Sequence, residues 1–131
     1  MCSSDLIDYH KHDLEIAREM GDKAGEGWAY GNLGNAFSSL GDFHKAVEYY
    51  ECHLQIAKEV GDKAGEGWAY GSLGDAYDSL VNFHKVIEYD ERHLQIARKV
   101  GDKTGEGWAY GNLGSVYYSL CDFHKAVKYF E

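Results

Sequence analysis

The hydrophobic positions of this chain recur at the spacing of α-helices. One stretch carries an apolar face with i, i+3, i+4 and i+7 intervals, formed by Phe43, Ala46, Val47, Tyr50, Leu54 and Ala57. The stretch before it carries a second face at helical spacing, formed by Tyr30, Leu33, Phe37 and Leu40. The chain contains no proline that would interrupt a helix. The pattern therefore predicts an all-α fold.

Both kinds of helix recur with a fixed period. Successive tryptophans, Trp28, Trp68 and Trp108, lie 40 residues apart in nearly identical surroundings. A period of roughly 20–50 residues is typical of stacked arrays, in which each unit packs mainly on its neighbours. We therefore expect one repeat array over the whole chain. Its divisions are a partial repeat 1–20, repeats 21–60 and 61–100, and a partial repeat 101–131.

Capping residues set the expected helix boundaries. Each repeat has a first helix, A, and a second helix, B. The A helices are expected at 23–39, 63–79 and 103–119, and the B helices at about 4–20, 43–60, 83–100 and 123–131. The expected N-caps are Asp22, Asp42, Asp62, Asn82, Asp102 and Asp122. Glycine is expected to end the B helices, at Gly21, Gly61 and Gly101.

The turn from A to B differs between repeats. It carries Gly41 in one repeat but Val81 and Cys121 in the next two. A left-handed conformation at this position would strain the two non-glycine residues by about 1 kcal/mol each. The alternative is that these two residues adopt a different turn.

The A helices contain an unusual number of glycines, which in the first repeat are Gly25, Gly27, Gly31 and Gly34. Each costs about 1 kcal/mol relative to alanine in a helix interior. Packing against neighbouring helices must therefore stabilise the A helices. We expect the closest approach of a neighbouring helix at Gly34, Gly74 and Gly114.

Composition narrows the function. The formal net charge is −9. The chain therefore lacks the positively charged surface that nucleic-acid binding requires, and anionic membranes repel it. No segment approaches the roughly 18 apolar residues of a membrane span, and the N-terminus does not resemble a signal peptide. Cys2, Cys52 and Cys121 do not recur with the repeat, which predicts free thiols in a reducing compartment. We therefore expect a cytoplasmic protein.

No group of residues indicates catalysis, a cofactor or a metal. The segment 25–27 lacks the preceding strand and the third glycine of a nucleotide-binding loop. His44 and His84 recur on successive helices that a stack holds apart, and His53 and His93 lack ligand companions at metal spacing. We therefore expect no enzymatic activity, no cofactor and no metal site.

The recurring residues resemble the tetratricopeptide repeat. The resemblance rests on Tyr30-Gly31-Asn32-Leu33-Gly34-Asn35-Ala36-Phe37, on Leu40-Gly41-Asp42-Phe43, and on Ala46 and Tyr50. The 40-residue period is similar to the longer variant found in the Pins/LGN proteins. The resemblance covers essentially the whole chain and implies an α-solenoid of antiparallel helix pairs in a right-handed superhelix. It also implies a non-enzymatic protein-interaction scaffold whose A helices line a concave groove for an extended peptide.

The same resemblance places the groove-facing residues at equivalent positions of the three A helices. They are Trp28, Gly31, Asn32, Asn35 and Ser38 in the first; Trp68, Gly71, Ser72, Asp75 and Asp78 in the second; and Trp108, Gly111, Asn112, Ser115 and Tyr118 in the third. The Pins/LGN type typically has arginine where this chain has tryptophan, and uses it with asparagine to hold acidic peptides. Since that arginine is absent from all three repeats, an acidic ligand is disfavoured.

The tryptophans are expected to form a stripe along the groove. Because Gly31 has no side chain, it is expected to leave free space beside the indole of Trp28. Carboxylates expected nearby are those of Glu26, Glu66, Asp75, Asp78 and Glu106. Aromatic faces bordered by carboxylates suit lysine or arginine through cation–π and charge contacts, which predicts a peptide with apolar and basic residues. The alternative is that each tryptophan packs between adjacent A helices as part of the core.

The frame of the chain suggests a second function. It opens on a B helix without an A partner and stops partway through the last B helix. Phe123, Val127, Phe130 and the outer face of the last A helix are therefore expected to be exposed. End-to-end stacking or helix exchange could cover them in a homo-oligomer, or truncation of a longer protein could have made them. A self-associating structural array is thus the alternative to a peptide-binding scaffold.

Overall fold

The described part of the chain is built from helices. A computed structural model describes residues 3–120 and 123–130. The helices are α1 (Ser3–Met20), α2 (Lys23–Ser39), α3 (Phe43–Val60), α4 (Lys63–Ser79), α5 (Phe83–Val100), α6 (Lys103–Ser119) and α7 (Phe123–Phe130). The A helices are α2, α4 and α6, and the B helices are α1, α3, α5 and α7. The prediction of an all-α fold is confirmed.

The predicted caps set the helix ends. The aspartates before α2, α4 and α6 each accept a hydrogen bond from the backbone N–H three residues later, at 2.9–3.0 Å. Asp42 and Asn82 cap α3 and α5 in the same way, at 3.2 and 3.3 Å. Gly61 and Gly101 end α3 and α5 with φ of 74° and 75°, in the left-handed region. The expected cap at Asp122 lies outside the described residues.

The turn from A to B is left-handed at both described positions. Gly41 has a φ of 80°, and Val81 has a φ of 58°. The backbone N–H after Val81 donates the same 2.9 Å hydrogen bond as the one after Gly41. Val81 therefore keeps the glycine turn and carries its strain, and the alternative of a different turn is wrong there. Cys121 lies outside the described residues.

The A helices form the inner layer of the array. Each helix contacts the next one along the chain. In addition, the backbone of α4 approaches those of both α2 and α6, whereas no two described B helices approach one another as closely. The B helices α3 and α5 meet through a long side chain, where the hydroxyl of Tyr89 donates a hydrogen bond to Glu51 at 2.8 Å. Since the backbones of the A helices lie closer together than those of the B helices, the array curves with α2, α4 and α6 on its concave side.

The core is a row of clusters between A and B helices. The equivalent residues Leu33, Leu73 and Leu113 are each 0% exposed. The predicted B-helix face is buried as well, at Ala46, Tyr50, Leu54 and Ala57. Leu40, which the pattern placed on the apolar face of A, is instead 52% exposed because it lies at the C-cap of α2.

The predicted points of closest approach are confirmed. A Cβ added at Gly34, Gly74 or Gly114 would come within 2.5–2.7 Å of a side chain from the following B helix. Those side chains are Tyr50, Asp90 and Phe130. The B helix packs directly against the backbone of the A helix, so glycine is required at these three positions.

Candidate interaction surface on the concave side

One tryptophan from each A helix lies on the concave side. The rings of Trp28 and Trp68 are 5.5 Å apart between centroids and inclined by 51°. Trp28 is 38% exposed, and Trp68 and Trp108 are half-buried. Each indole therefore packs on its neighbours with part of its surface and keeps the rest accessible.

Two histidines of the B helices lie beneath the indoles, and sequence reasoning did not place them there. The ring of His53 lies 4.6 Å from that of Trp28 and 5.4 Å from that of Trp68. His93 lies 4.7 Å from Trp108. Burial lowers the pKa of His53 to about 4 and also lowers the pKa of His93, because a buried imidazolium ion is poorly solvated. Their 40-residue recurrence was the available sequence signal.

The prediction that Gly31 leaves free space beside the indole of Trp28 is wrong. Gly31 is buried, and a Cβ added there would lie 2.7 Å from Nδ1 of His53 and 3.0 Å from the ring of Trp68. Gly71 is buried in the same way by the histidine and tryptophan that follow it. Because these glycines have no side chain, a histidine ring and the next tryptophan ring pack directly against the helix backbone. The glycines therefore lie beneath the surface and offer little area for contact with a ligand.

A cavity of about 380 Å³ opens on this side. It is lined by Asn35, Ser38, Ser39, Tyr50, Trp68, Ser72, Asp75, Ser79 and Trp108. Six of the groove-facing residues predicted from the sequence line this cavity, namely Asn35, Ser38, Trp68, Ser72, Asp75 and Trp108. Sequence reasoning missed Tyr50, which it assigned to the core face of its helix, and Ser39 and Ser79 at the ends of α2 and α4.

Asp75 links the second and third A helices. Trp108 donates a hydrogen bond from Nε1 to Oδ1 of Asp75 at 3.2 Å. Asn112 donates from Nδ2 to the same oxygen at 2.7 Å. Although Asp75 is exposed, the cavity wall partly desolvates its carboxylate and raises its pKa, and the two hydrogen bonds partly offset that shift. The carboxylate is thereby held in a fixed orientation at the cavity wall.

Other predicted residues lie outside the lining of this cavity. Asp78 is exposed, Tyr118 is 60% exposed, and Asn32 is half-buried. The glutamates expected beside the indoles are engaged in ion pairs. Glu26 pairs with Arg18 at 3.3 Å, and its equivalents in the next two repeats pair with a lysine at 3.5 Å. Asp75 is therefore the predicted carboxylate that borders an indole through a hydrogen bond.

Two negative findings apply to the described residues. Within them, no three His, Cys, Asp or Glu side chains form a group that could hold a metal ion. The helices found there are all too short or too polar to cross a membrane.

Comparison with known proteins agrees with the repeat pattern. The family model for the tetratricopeptide repeat matches residues 5–59, 26–99 and 68–131. G-protein-signaling modulator 1 of Homo sapiens is 54% identical over 41 residues, which are 31% of this chain and 6% of that protein. The protein of the same name from Mus musculus is 42% identical over 40 residues, again 6% of its length. The chain therefore matches about one repeat of these much longer relatives.

Solved structures share the fold. A signal transduction ATPase with numerous domains and a tetratricopeptide repeat sensor, from Pyrococcus horikoshii, superposes with a TM-score of 0.88 at 26% identity. That match covers 98% of this chain and 20% of the other. The TPR domain of Arabidopsis FLU has a TM-score of 0.79 at 25% identity, covering 82% of this chain and 91% of that domain. The predicted helical solenoid is confirmed.

Proposed function

The chain belongs to the tetratricopeptide repeat family, and we propose from this that it is a non-enzymatic scaffold that binds an extended peptide segment of another protein along its concave side. Repeats of this family generally mediate protein–protein interaction. The observation that carries the proposal is the cavity of about 380 Å³ between the A helices, where the indoles of Trp68 and Trp108 border serines and Asp75. Aromatic anchors beside a few placed polar groups are common features of binding sites. A cytoplasmic location stays a prediction.

The proposed contact residues follow the inner layer from end to end. They are Trp28, Asn32, Asn35, Trp68, Asp75, Asp78, Trp108, Asn112 and Tyr118, with Gly31 and Gly71 as supporting positions. The proposed array that carries them extends over residues 1–131 as a single unit.

The charges favour a peptide that combines apolar and basic residues. The chain has a formal net charge of −9. Asp75 and Asp78 are exposed on α4, and Asp75 lines the cavity. Acidic surface and aromatic faces together attract lysine and arginine.

The test is a fluorescence titration with three peptides of equal apolar content that differ only in charge. Tryptophan emission reports directly on the cavity, because two of the three indoles line it. We expect the basic peptide to bind at least about tenfold more tightly than the neutral one, which corresponds to about 1.4 kcal/mol. Equal affinity for basic and acidic peptides would contradict the inferred ligand.

A pair of variants locates the binding. Ser79 lines the cavity, whereas its equivalent one repeat later, Ser119, does not. Both residues are exposed at the end of an A helix, so neither substitution disturbs the core. Ser79→Tyr should fill the cavity and weaken binding, and Ser119→Tyr should leave the affinity unchanged. Equal behaviour of the two variants would place the ligand elsewhere.

Self-association is the second candidate, and the last A helix carries the observation that favours it. A Cβ at Gly107 or Gly111 would meet nothing within 4 Å, whereas one at Gly27 would lie 3.1 Å from Ile56 of the following B helix. At the other end of the array, Ile16 occupies the position of Ile56 in α1 and is 54% exposed. Ile16 of a second copy could therefore pack beside Gly107 as Ile56 packs beside Gly27, next to the part of α6 that α7 already covers at Gly114.

Such a contact joins two different surfaces, so it generates a ring if the rotation closes and an open chain of molecules if it does not. Sedimentation velocity over a range of concentrations tests it. Ile16→Glu should abolish any concentration-dependent growth, and Glu19→Gln, on the same helix and also exposed, should not. A monomer at every concentration would exclude this candidate and leave the peptide-binding proposal untouched.

A further inference from the structure

One pair of residues on the concave side changes its chemistry between equivalent repeats. In the repeat 21–60, the hydroxyl of Tyr50 donates a hydrogen bond to Oδ1 of Asn35 at 2.7 Å. In the repeat 61–100 the equivalent residues are Asp90 and Asp75. The backbone beneath is the same, because Asp90 packs against Gly74 as Tyr50 packs against Gly34. A hydrogen-bonded phenol–amide pair has thus become a pair of carboxyl groups.

Asp90 is a buried acidic group whose surroundings are also acidic. It is 0% exposed, and neither of its carboxyl oxygens has a hydrogen bond of standard geometry within the described residues. Burial raises the pKa of Asp90, the charges of Asp75 and Asp78 raise it further, and the amide of Asn112, which acts on the carboxyl as a hydrogen-bond donor, offsets the rise only in part. Leaving a buried carboxyl unpaired costs stability. Because its environment is acidic, Asp90 must be neutralised either by a proton or by a bound cation.

Asp75 connects this buried group to the surface. It lines the cavity, and both of its donors, Trp108 and Asn112, bind the same oxygen, Oδ1. Within the part of the chain that the structure describes, the second carboxylate oxygen, Oδ2, has no such donor and can accept a hydrogen bond from a ligand. Trp68 and Trp108 line the same cavity. A cavity lined by indoles and a carboxylate suits a long aliphatic stem with a cationic head.

We propose that Asp75 and Asp90 form a subsite for one cationic side chain of the bound peptide, the ammonium group of lysine or the guanidinium group of arginine. The inference rests on the proposed peptide-binding function and names one of its contacts. Asp75 meets the cation at the cavity surface, and Asp90 supplies a second negative charge from beneath once the bound cation displaces its proton. The repeat 21–60 lacks this charge, because Tyr50 and Asn35 are neutral.

A metal ion does not suit this place, since no group of three ligating side chains exists among the described residues. The competing explanation is a purely structural one, in which Asp75 and Asp90 share a proton and require no ligand. The two explanations differ in their response to a small cation, so that response is the measurement to make.

The experiment is an NMR titration of the full chain that follows the indole N–H signal of Trp108, which reports on Asp75 through their hydrogen bond. The probe is n-butylammonium, a mimic of the lysine side chain, and the neutral control is n-butanol at the same ionic strength. We expect a saturable shift with the ammonium ion only. Equal shifts from both probes, or no shift from either, would overturn the subsite.

The pH dependence sharpens the result. Burial raises the pKa of Asp90 to about 8, and the charge of Asp75 adds to the shift. A cation that favours the ionised pair must displace the proton, so its affinity should rise by up to about tenfold per pH unit below that pKa. An ammonium response that is constant between about pH 6 and pH 8 would support the structural explanation and contradict the subsite.

The preceding repeat shows which residues can replace the two aspartates in a test variant. Asp75→Asn combined with Asp90→Tyr installs the Asn35–Tyr50 pair, around which the preceding repeat already folds. This double variant should lose the ammonium response. Glu48→Gln removes one carboxylate from an exposed site on α3 and should retain it. A double variant that still responds would refute the proposal.

Failure of the subsite can be told apart from failure of the scaffold. The ammonium titration needs no peptide and therefore decides the subsite alone. A bound basic peptide can then be remade with norleucine in place of each lysine. If the norleucine peptide binds as tightly, the subsite is wrong while peptide binding stands.

Discussion

The imidazole of His53 lies 4.6 Å, centroid to centroid, from the indole of Trp28, and the histidine is 1% exposed. Neither of its ring nitrogens has a hydrogen-bond partner within the described residues. A proton added there would create a charge that is neither solvated nor paired, which lowers the pKa of His53 to about 4. The accessible indole is therefore supported by a neutral histidine.

Acid should destabilise the fold through this histidine. An unfolded histidine has a pKa of about 6.5, and the folded value is about 4. Between these values the unfolded chain binds a proton that the folded chain excludes, so the free energy of unfolding falls as pH decreases through this window. The slope approaches about 1.4 kcal/mol per pH unit for each such group. Urea denaturation followed by circular dichroism at several pH values measures it.

Two variants identify the source of the acid effect. His53→Leu keeps an apolar side chain of similar size and removes the titrating group, so its stability should depend less on pH between about 4 and 6.5. His44→Gln, an exposed histidine on the same helix, should follow the parent chain. The prediction is wrong if His53→Leu and the parent lose stability in parallel.

Asp90 should act on stability with the opposite sign. Burial raises the pKa of its carboxyl to about 8, whereas an unfolded aspartate ionises near 3.9. Between about 4 and 8 the unfolded chain has lost a proton that the folded chain keeps, so stability falls as pH rises. Asp90→Asn should remove this loss and raise stability at pH 8, with Glu91→Gln as the exposed neighbour for comparison. A parent chain and Asp90→Asn with parallel pH profiles would contradict the assignment.

Equivalent glycines should respond differently to the same substitution. A Cβ at Gly31 would lie 2.7 Å from Nδ1 of the buried His53, so Gly31→Ala should destabilise the chain by about 1–3 kcal/mol through overpacking. A Cβ at Gly111 would meet nothing within 4 Å. Gly111→Ala should therefore stabilise α6 by about 1 kcal/mol, the difference in helix propensity. Thermal or urea denaturation of the two variants gives the comparison, and changes of equal sign would refute it.

The helices could be predicted from the sequence because their determinants are local. The N-cap at Asp62 and the stop at Gly61 depend on residues within one turn of the helix end. The same capping and terminating residues recur every 40 residues, which gave independent support to the predicted boundaries. The architecture followed from the same repetition, since stacked units bury equivalent faces.

The details of the candidate site depended on contacts between helices and were less predictable. Free space was predicted beside Gly31 because the pattern of a single helix does not show that His53 and the next tryptophan fill it. Asp90 differed from Tyr50 in the aligned repeats, but its burial became apparent only once Gly74 lay against it. Substitutions within an otherwise constant repeat were therefore the most informative signals, and they needed the packed structure to be interpreted.

Val81 gives the sharpest test of the turn between A and B helices. It adopts a φ of 58°, where a β-branched side chain is strained, in a turn that Gly41 forms with a φ of 80°. Val81 is 68% exposed, so little packing is lost when it is replaced. Val81→Gly should therefore stabilise the chain by about 1 kcal/mol, since relief of strain outweighs the greater flexibility of glycine in the unfolded state.

The reciprocal change, Gly41→Val, should destabilise the chain by a similar amount, because it places the same strained side chain in the same turn. The midpoints of urea denaturation should move in opposite directions with an unchanged slope. If Val81→Gly lowers the midpoint, the side chain of Val81 contributes more through contacts than the left-handed backbone costs, and the strain attributed to this turn is wrong.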